Sequence, residues 1–293
     1  MTPTMQTRIL STFLALAAAT PMLHGKVCIF PDKSEYHLFN PTPRELMRDM
    51  STDRPDITES PYTVDAGHFQ VEMDLVSFTY DRHNAERSDT RVESWSFANA
   101  NLKVGLLNNV DLQLVAPIFN RVRTDDRAAG TKTVNSGFGD LTVRLKMNLW
   151  GNDGGKTAFA AMPFVKLPTN QDDLGNHAIE GGLILPLAIE LPGGWSMGLM
   201  AEFDFNEDGD GGGYHTEFVD SITFSHDIVG QLGGYVEFVN IISTELDAEW
   251  IGTVDLGLTF AVTDDIQLDA GVNIGVARAA DDVSPFVGIS WRF

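Results

Sequence analysis

The chain ends on the stretch Val283-Ser-Pro-Phe-Val-Gly-Ile-Ser-Trp-Arg-Phe293. Apolar or aromatic side chains occupy every second position near its end, at Val287, Ile289, Trp291 and Phe293. The positions between them are small, polar or charged, at Gly288, Ser290 and Arg292. Successive side chains of a β-strand point to opposite faces, so this period of two predicts a strand with one apolar and one polar face.

The same alternation recurs from Gly67 onward. Residues 141–149 place Leu and Val opposite Thr, Arg, Lys and Asn, and residues 247–260 and 266–276 place apolar side chains opposite acidic or amide ones. The alternation predicts about twelve strands of about ten residues or more. We place them near 68–80, 93–106, 109–121, 137–149, 157–166, 178–190, 194–205, 214–226, 228–239, 246–261, 265–277 and 283–293.

These strands predict an all-β fold, a transmembrane antiparallel β-barrel with a short N-terminal periplasmic segment. Beyond residue 25 we find no apolar run of the roughly 18 residues that a spanning helix needs, and only closed barrels then satisfy the backbone in hydrocarbon. A soluble β-sandwich also has alternating strands, but its strands are usually only about five or six residues long. Short and long connections alternate along the chain, which places short turns at one barrel end and long loops at the other.

The two ends of the sequence indicate an exported protein. Residues 1–25 combine Arg8 with a short apolar stretch and small residues, as secretory signal peptides do. The terminal strand resembles the C-terminal strand of bacterial outer-membrane barrels, which carries the assembly signal. We therefore expect Trp291 and Phe293 to close the barrel and the barrel-assembly machinery to be a partner. The sole cysteine, Cys28, cannot form an internal disulfide.

Charge excludes one class of partner. The formal net charge is −21, and no basic patch exists to replace the counterions of nucleic-acid phosphates. Outer-membrane lipid and lipopolysaccharide are the expected surroundings, with acidic loop tips bridged to lipopolysaccharide phosphates through divalent cations. The expected domains are a signal peptide at 1–25, a periplasmic lead-in at 26–66 and the barrel at 67–293.

The lead-in carries a recognisable opening. Ser51-Thr52-Asp53-Arg54-Pro55-Asp56, then Thr58-Glu59-Ser60-Pro61 and Gly67-His68-Phe69-Gln70-Val71-Glu72, resembles the start of a bacterial barrel family labelled "MetA-pathway of phenol degradation". The resemblance covers about residue 50 to Phe293. It implies an outer-membrane barrel linked to uptake of aromatic compounds, and it carries over no substrate-binding residue. We interpret the lead-in as folded against the barrel mouth or into its lumen.

The polar strand faces predict the residues that line the lumen. The predicted lumen residues are Glu72, Asp74, Lys103, Asp111, Gln113, Arg144, Lys146, Glu180, Glu202, Glu237, Glu249, Asp255, Asp269 and Arg292. Eight strands give a barrel filled by side chains and sixteen or more an open channel, so about twelve leave room for a narrow channel or a ligand-sized cavity. We expect a passive transporter of small, hydrophobic or aromatic solutes. The alternative is a structural or assembly barrel with a plugged lumen.

The sequence supports catalysis and metal binding less well than it supports transport. Some outer-membrane phospholipases are also twelve-stranded barrels and use a Ser–His pair, but no serine here stands in a recognisable nucleophile context. We therefore expect no enzyme and no cofactor. The segment Asp204-Phe205-Asn206-Glu207-Asp208-Gly209 matches the first half of a calcium loop, with Asp204, Asn206 and Asp208 as ligands. His215 stands where the bidentate glutamate is required, so a solvated acidic loop is the preferred interpretation.

Overall fold

The structure, a computed structural model, describes residues 32–84, 90–209 and 211–293. The predicted signal peptide lies outside these residues, as does Cys28. A 3₁₀ turn at Arg44–Leu46 precedes the sheet. The strands are β1 Phe69–Asn84, β2 Thr90–Leu107, β3 Val110–Asp126, β4 Thr131–Gly137, β5 Leu141–Trp150, β6 Thr157–Leu167, β7 Glu180–Glu190, β8 Trp195–Glu207, β9 Tyr214–Val229, β10 Leu232–Ser243, β11 Ile251–Thr263, β12 Ile266–Gly275 and β13 Val283–Arg292. Among the described residues, no helix has the length and apolar character needed to cross a membrane.

The strands form one closed antiparallel barrel. Each strand pairs with its neighbours in sequence, and β1 pairs with β13 to close the sheet. Both β4 and β5 pair with β3, with residues 120–126 and 110–115 respectively, so they are two parts of one barrel strand. The barrel therefore has twelve strands, as the alternation predicted.

Closure takes place at the last residues of the chain. The backbones of Phe69 and Phe293 exchange two hydrogen bonds of 3.0 and 2.9 Å, and their rings stack with centroids 5.8 Å apart. Trp291 pairs with Val71 and Ile266 on its two sides. The terminal strand thus has a partner along both edges, which removes the unpaired backbone groups that hydrocarbon would not tolerate.

The two faces of the strands differ as expected for a barrel in lipid. Large apolar side chains are exposed around the outside, among them Leu112, Val236, Leu256 and Leu268. Their neighbours along the strands, such as Asp111, Glu237, Asp255 and Asp269, are buried in the interior. This is the apolar-out, polar-in pattern of membrane barrels.

Two connections differ from the sequence prediction. Residues 121–136 were expected to form a long loop, but β3 continues to Asp126 and pairs with β4 from Thr131. Val122, Thr124 and Thr133 belong to this extension, and β-branched side chains favour strands. In the other case β11 begins at Ile251 rather than near residue 246, so residues 244–250 belong to the loop before it.

Candidate functional site

The interior of the barrel is occupied by the segment of residues 32–66, called the inner segment below. It begins at the barrel end that carries the short turns. Lys33 Nζ lies 2.8 Å from Asp153 in the β5–β6 turn, and Arg48 Nη1 donates hydrogen bonds of 2.8 and 2.9 Å to Asn108 and Asp153. Burial opposes ionisation of Asp153, but hydrogen bonds from Lys33, Asn108 and Arg48 outweigh it and lower its pKa.

Asp53 is the centre of a buried charge network deeper in the barrel. Its carboxylate contacts Lys103 of β2 and Lys146 of β5, the latter at 2.5 Å. Its backbone N–H donates a hydrogen bond of 2.9 Å to Glu72 of β1, and Lys103 also pairs with Glu72. All four side chains are buried. Because an unpaired buried charge is costly, this network holds Asp53 against the wall formed by β1, β2 and β5.

Arg54 attaches the inner segment to the two strands that flank β13, where the barrel closes. Its guanidinium lies 2.6 Å from both Asp74 of β1 and Asp269 of β12 and 5.5 Å from the ring centroid of Phe286. A Cβ at Gly288 would lie 2.2 Å from a guanidinium nitrogen. The glycine at this position of β13 is therefore what lets the arginine approach the wall.

The inner segment reaches its deepest point at residues 57–59, where it contacts the far wall. The N–H groups of Ile57 and Thr58 each donate a 2.8 Å hydrogen bond to the carboxylate of Glu237 on β10. The Thr58 hydroxyl lies 2.7 Å from that of Ser221 on β9. Glu59 pairs with Arg144 of β5 at 2.5 Å. The segment therefore spans the lumen from β5 to β9 and β10 at this level.

The inner segment then returns to the end where it entered. Thr63 N–H donates a 3.1 Å hydrogen bond to Asn152 in the β5–β6 turn, and Val64 N–H donates one of 3.0 Å to Asp111 near the start of β3. The chain enters β1 at Phe69. The inner segment is thus a loop that enters and leaves the lumen at the short-turn end.

The structure places most of the predicted lumen residues on the inner wall. Those that contact the inner segment directly are Glu72, Asp74, Lys103, Asp111, Gln113, Arg144, Lys146, Glu237, Asp269 and Arg292. Arg292 lies at the mouth, where its guanidinium contacts the Arg48 carbonyl at 2.8 Å and Asp265 at 2.8 Å. Glu180 is buried beside Lys166.

Three other predicted positions lie apart from the inner segment. Asp255 is buried on β11 and accepts a 3.1 Å hydrogen bond from Thr253. Glu202 lies on β8 two residues beyond Met200 toward the long loops. The prediction for Glu249 was wrong, because β11 starts only at Ile251 and Glu249 is exposed in the preceding loop. The alternation that continues back to Asp247 in the sequence does not continue as a strand.

A cluster of apolar side chains inside the lumen was not predicted. It consists of Met162, Ile184, Met200, Val219 and Val239, all buried, one from each of the strands β6 to β10. The only sequence signal was that apolar residues fall on both faces of residues 157–166 and 214–226. The lumen therefore has charged side chains around most of its wall and, on β6–β10, an apolar patch as well.

The calcium loop suggested by the sequence does not form. Strand β8 continues through Glu207, so Asp204 and Asp208 are separated by about 13 Å at a rise of about 3.3 Å per residue. Asn206 Nδ2 instead donates a 3.1 Å hydrogen bond to Glu217 on β9. An extended strand cannot wrap alternate oxygens around one ion.

Four histidines contact backbone carbonyls or carboxylates, whereas His37 Nδ1 accepts a 3.2 Å hydrogen bond from the N–H of Phe39. His68 Nε2 lies 2.7 Å from the Thr42 carbonyl, and His226 Nε2 lies 3.1 Å from the Gly193 carbonyl. His177 and His215 lie beside Asp173 and Asp208. These contacts do not resemble the nucleophile–base pair of a hydrolase.

The fold and its two faces define an outer-membrane β-barrel. Comparison with known families then assigns it: residues 52–293 match the family described as "Putative MetA-pathway of phenol degradation", and the chain belongs to that family. No curated protein sequence matches the chain significantly.

Solved structures share the fold. The chain is similar to the COG4313 outer membrane channel from Pseudomonas putida F1, with 16% identity and a TM-score of 0.59 over 83% of this chain and 100% of that one. It is also similar to the transport unit of the autotransporter AIDA-I from Escherichia coli, with 10% identity and a TM-score of 0.50 over 83% and 93% of the two chains.

Proposed function

We propose that the protein is a passive outer-membrane channel for small solutes, with the inner segment as its constriction. The short-turn end, with the start of β1 and the end of β13, faces the periplasm in this proposal. The observation that carries it is that cavities remain in the lumen on both sides of the inner segment, so the segment narrows the interior without filling it. The similar P. putida protein, itself called a channel, is consistent with this proposal.

Cavities lie in the lumen on both sides of the constriction. At the short-turn end, one of 270 Å³ lies between Arg54, Asp56 and the wall at Tyr235, and one of 420 Å³ lies beside Arg48 and Gln267. Gln267 lines both. At the long-loop end a cavity of 530 Å³ is lined by residues of β1 to β4 and of the β6–β7 loop. A solute that passes through must displace the contact of residues 57–59 with β9 and β10.

The lumen charges predict which ions pass more readily. Acidic side chains follow one side of the barrel at Glu202, Asp204, Glu237 and Asp255. Within the described part of the chain, none of these four has a lysine or arginine within ion-pair distance. Acidic side chains in a confined pore favour cations when they are ionised. Small solutes with an apolar part gain from contact with the apolar patch on β6–β10.

The test is conductance in a planar lipid bilayer. We expect ion current with a reversal potential that indicates cation preference in a salt gradient, and a weaker preference in a Glu202→Gln, Asp204→Asn double variant. Asp126→Asn, which neutralises a carboxylate at the exposed β3–β4 turn, is the matched control and should leave the reversal potential unchanged. Folded wild-type barrel that passes no ions and lets no small solute enter liposomes would favour the structural barrel with a plugged lumen.

The solute class needs its own measurement. After subtraction of entry into protein-free liposomes, we expect liposomes that contain the barrel to admit small aromatic compounds faster than sugars of equal mass, because only the aromatic compounds gain from contact with the apolar patch once the inner segment moves aside. A Met200→Gln variant should reduce this difference. Equal entry of both classes would remove the hydrophobic part of the proposal and leave a general channel.

A further inference from the structure

The long-loop end of the barrel brings together a group of side chains that belongs neither to the lumen network nor to the channel function. Asp208 comes from the β8–β9 loop, His215 from the start of β9 and Glu245 from the β10–β11 loop. One nitrogen or oxygen ligand atom of each lies within 4.8 Å of those of the other two. The three residues are separated by up to 37 positions in the chain, so the fold itself assembles them.

His215 is the best-defined member of the group. Its side chain is 8% exposed, and its Nδ1 lies 3.1 Å from Asp208 Oδ1. Its Nε2 points between two further carboxylates, 3.8 Å from Glu217 and 4.0 Å from Glu245. No hydrogen bond reaches Nε2 from the described part of the chain. Nε2, which faces two carboxylates, is therefore the nitrogen that can bind a cation, and Asp208 at Nδ1 fixes the orientation of the ring, as carboxylates do for metal-binding histidines.

The surrounding backbone fixes the carboxylates. Glu245 Oε1 accepts a 2.8 Å hydrogen bond from the N–H of Gly209, which ties the two loops together beside Asp208. A Cβ at Gly213 would lie 2.9 Å from Asp208 Oδ2, so the absence of a side chain there admits this carboxylate. Partners that orient ligand carboxylates in this way are typical of metal sites.

We propose that His215 Nε2, Glu217 and Glu245 bind a divalent transition-metal ion of the zinc type at the long-loop end, with Asp208 orienting the imidazole through its contact with Nδ1. One imidazole and two carboxylates are a donor set that suits such ions, with water at the remaining position. Calcium is disfavoured, because it takes six to eight oxygen ligands and the group offers few oxygens and a nitrogen. The separations of 3.8 and 4.0 Å between Nε2 and the two carboxylates need to shorten by only about 0.5 Å, because ligand atoms about 2.0–2.2 Å from one tetrahedral zinc ion lie about 3.4 Å from each other.

This site is independent of the channel proposal and is tested without any transport measurement. Folded barrel in detergent micelles is treated with EDTA, exchanged into metal-free buffer at neutral pH and titrated with Zn²⁺ in a calorimeter. We expect saturable binding of one ion per chain. His215→Gln should weaken it at least about tenfold, since loss of a partner that merely orients a ligand already costs 10–100-fold.

Three further variants make the result specific. Asp208→Asn and Glu245→Gln should each weaken binding as well, and both lie in loops outside the sheet, so the barrel still folds. His177→Gln is the matched control, because His177 also lies beside an aspartate but is 78% exposed; its affinity should equal that of the wild type. Excess Ca²⁺ should not displace the bound Zn²⁺.

Several outcomes would overturn the proposal. One is the absence of saturable Zn²⁺ binding by the wild type, which would leave His215 as a hydrogen-bonding member of the loop contact. Another is unchanged affinity in His215→Gln, or loss of binding in His177→Gln, which would place the ion elsewhere. Displacement by Ca²⁺ would indicate an oxygen-only site.

Discussion

Replacing Asp53 by asparagine should release the inner segment from the wall of the barrel. Lys146 is fully buried, and Asp53 is the one acidic side chain with which it forms an ion pair among the described residues. Breaking a buried ion pair by removal of one partner costs about 3–5 kcal/mol. We expect the lower end of this range, about 3 kcal/mol, because Lys103 keeps its pairing with Glu72 and water can enter from the lumen cavities.

The measurement is the free energy of unfolding in urea, followed by tryptophan fluorescence with the barrel in lipid vesicles. A second variant, Asp53→Asn with Lys146→Met, removes the unpaired charge and should recover most of the lost stability. Asp173→Asn controls for the loss of one negative charge and should change stability by less than about 0.5 kcal/mol. If Asp53→Asn changes stability no more than this control, the network does not hold the inner segment and the reasoning is refuted.

Three other changes test the membrane face, the closure and the mouth. Arginine at Leu256, outside and near the middle of β11, should cost about 2–4 kcal/mol, whereas arginine at Thr253 in the lumen should cost much less; equal damage in a lipid folding assay would contradict the assigned faces. Deletion of Phe293 should lower the heat-modifiable folded fraction on gels, and an unchanged fraction would show that other strand contacts suffice for closure. Asp153 has a lowered pKa in the folded state, so its contacts hold at neutral pH and weaken as pH falls below its usual value of 3.8. The hydrogen-exchange protection factors of residues 33–50, corrected for the intrinsic rate at each pH, should therefore fall in acid, and Asp153→Asn should remove most of this pH dependence; acid protection equal to that at neutral pH would contradict it.

The strand pattern could be predicted from the sequence because each strand faces two different solvents. Lipid selects apolar side chains at positions such as Leu256 and Leu268, and the lumen selects polar ones at Asp255 and Asp269. This contrast repeats at every second residue and requires no knowledge of distant contacts. It is ambiguous where the lumen itself is apolar, as at Met162, since both faces then look alike.

The path of the inner segment could not be predicted in the same way. Residues 51–61 have neither the helical nor the strand period, and their positions depend on partners far away in the sequence. Arg54 pairs with Asp269, which is 215 positions further along the chain. In the sequence, Ser51–Pro61 stands out as a motif and the charged strand residues stand out as lumen residues. Nothing in the sequence reveals that the motif binds these charged residues.

The same limit explains the outcome at the acidic loop. A local motif at Asp204, Asn206 and Asp208 suggested calcium, because oxygen donors at alternate positions can wrap an ion when the chain turns. In the structure the chain stays extended, and Asp208 meets His215 and Glu245 instead. The spacing along the sequence therefore identified residues of the type that binds metal ions. It did not reveal which residues the fold brings together.

The barrel and its inner segment depend on each other for physical reasons. Twelve strands enclose an interior too wide for wall side chains alone to fill, and the wall carries buried charges such as Lys146 and Glu237 that need partners. The inner segment supplies both volume and partners, through the carboxylate of Asp53 and the N–H groups of Ile57 and Thr58. Ion pairs attach it to β1, β2, β5 and β12, whereas at β9 and β10 it depends on hydrogen bonds at a single level. The β9–β10 side is therefore where the smallest displacement opens a path, and where solute passage should be most sensitive to substitution.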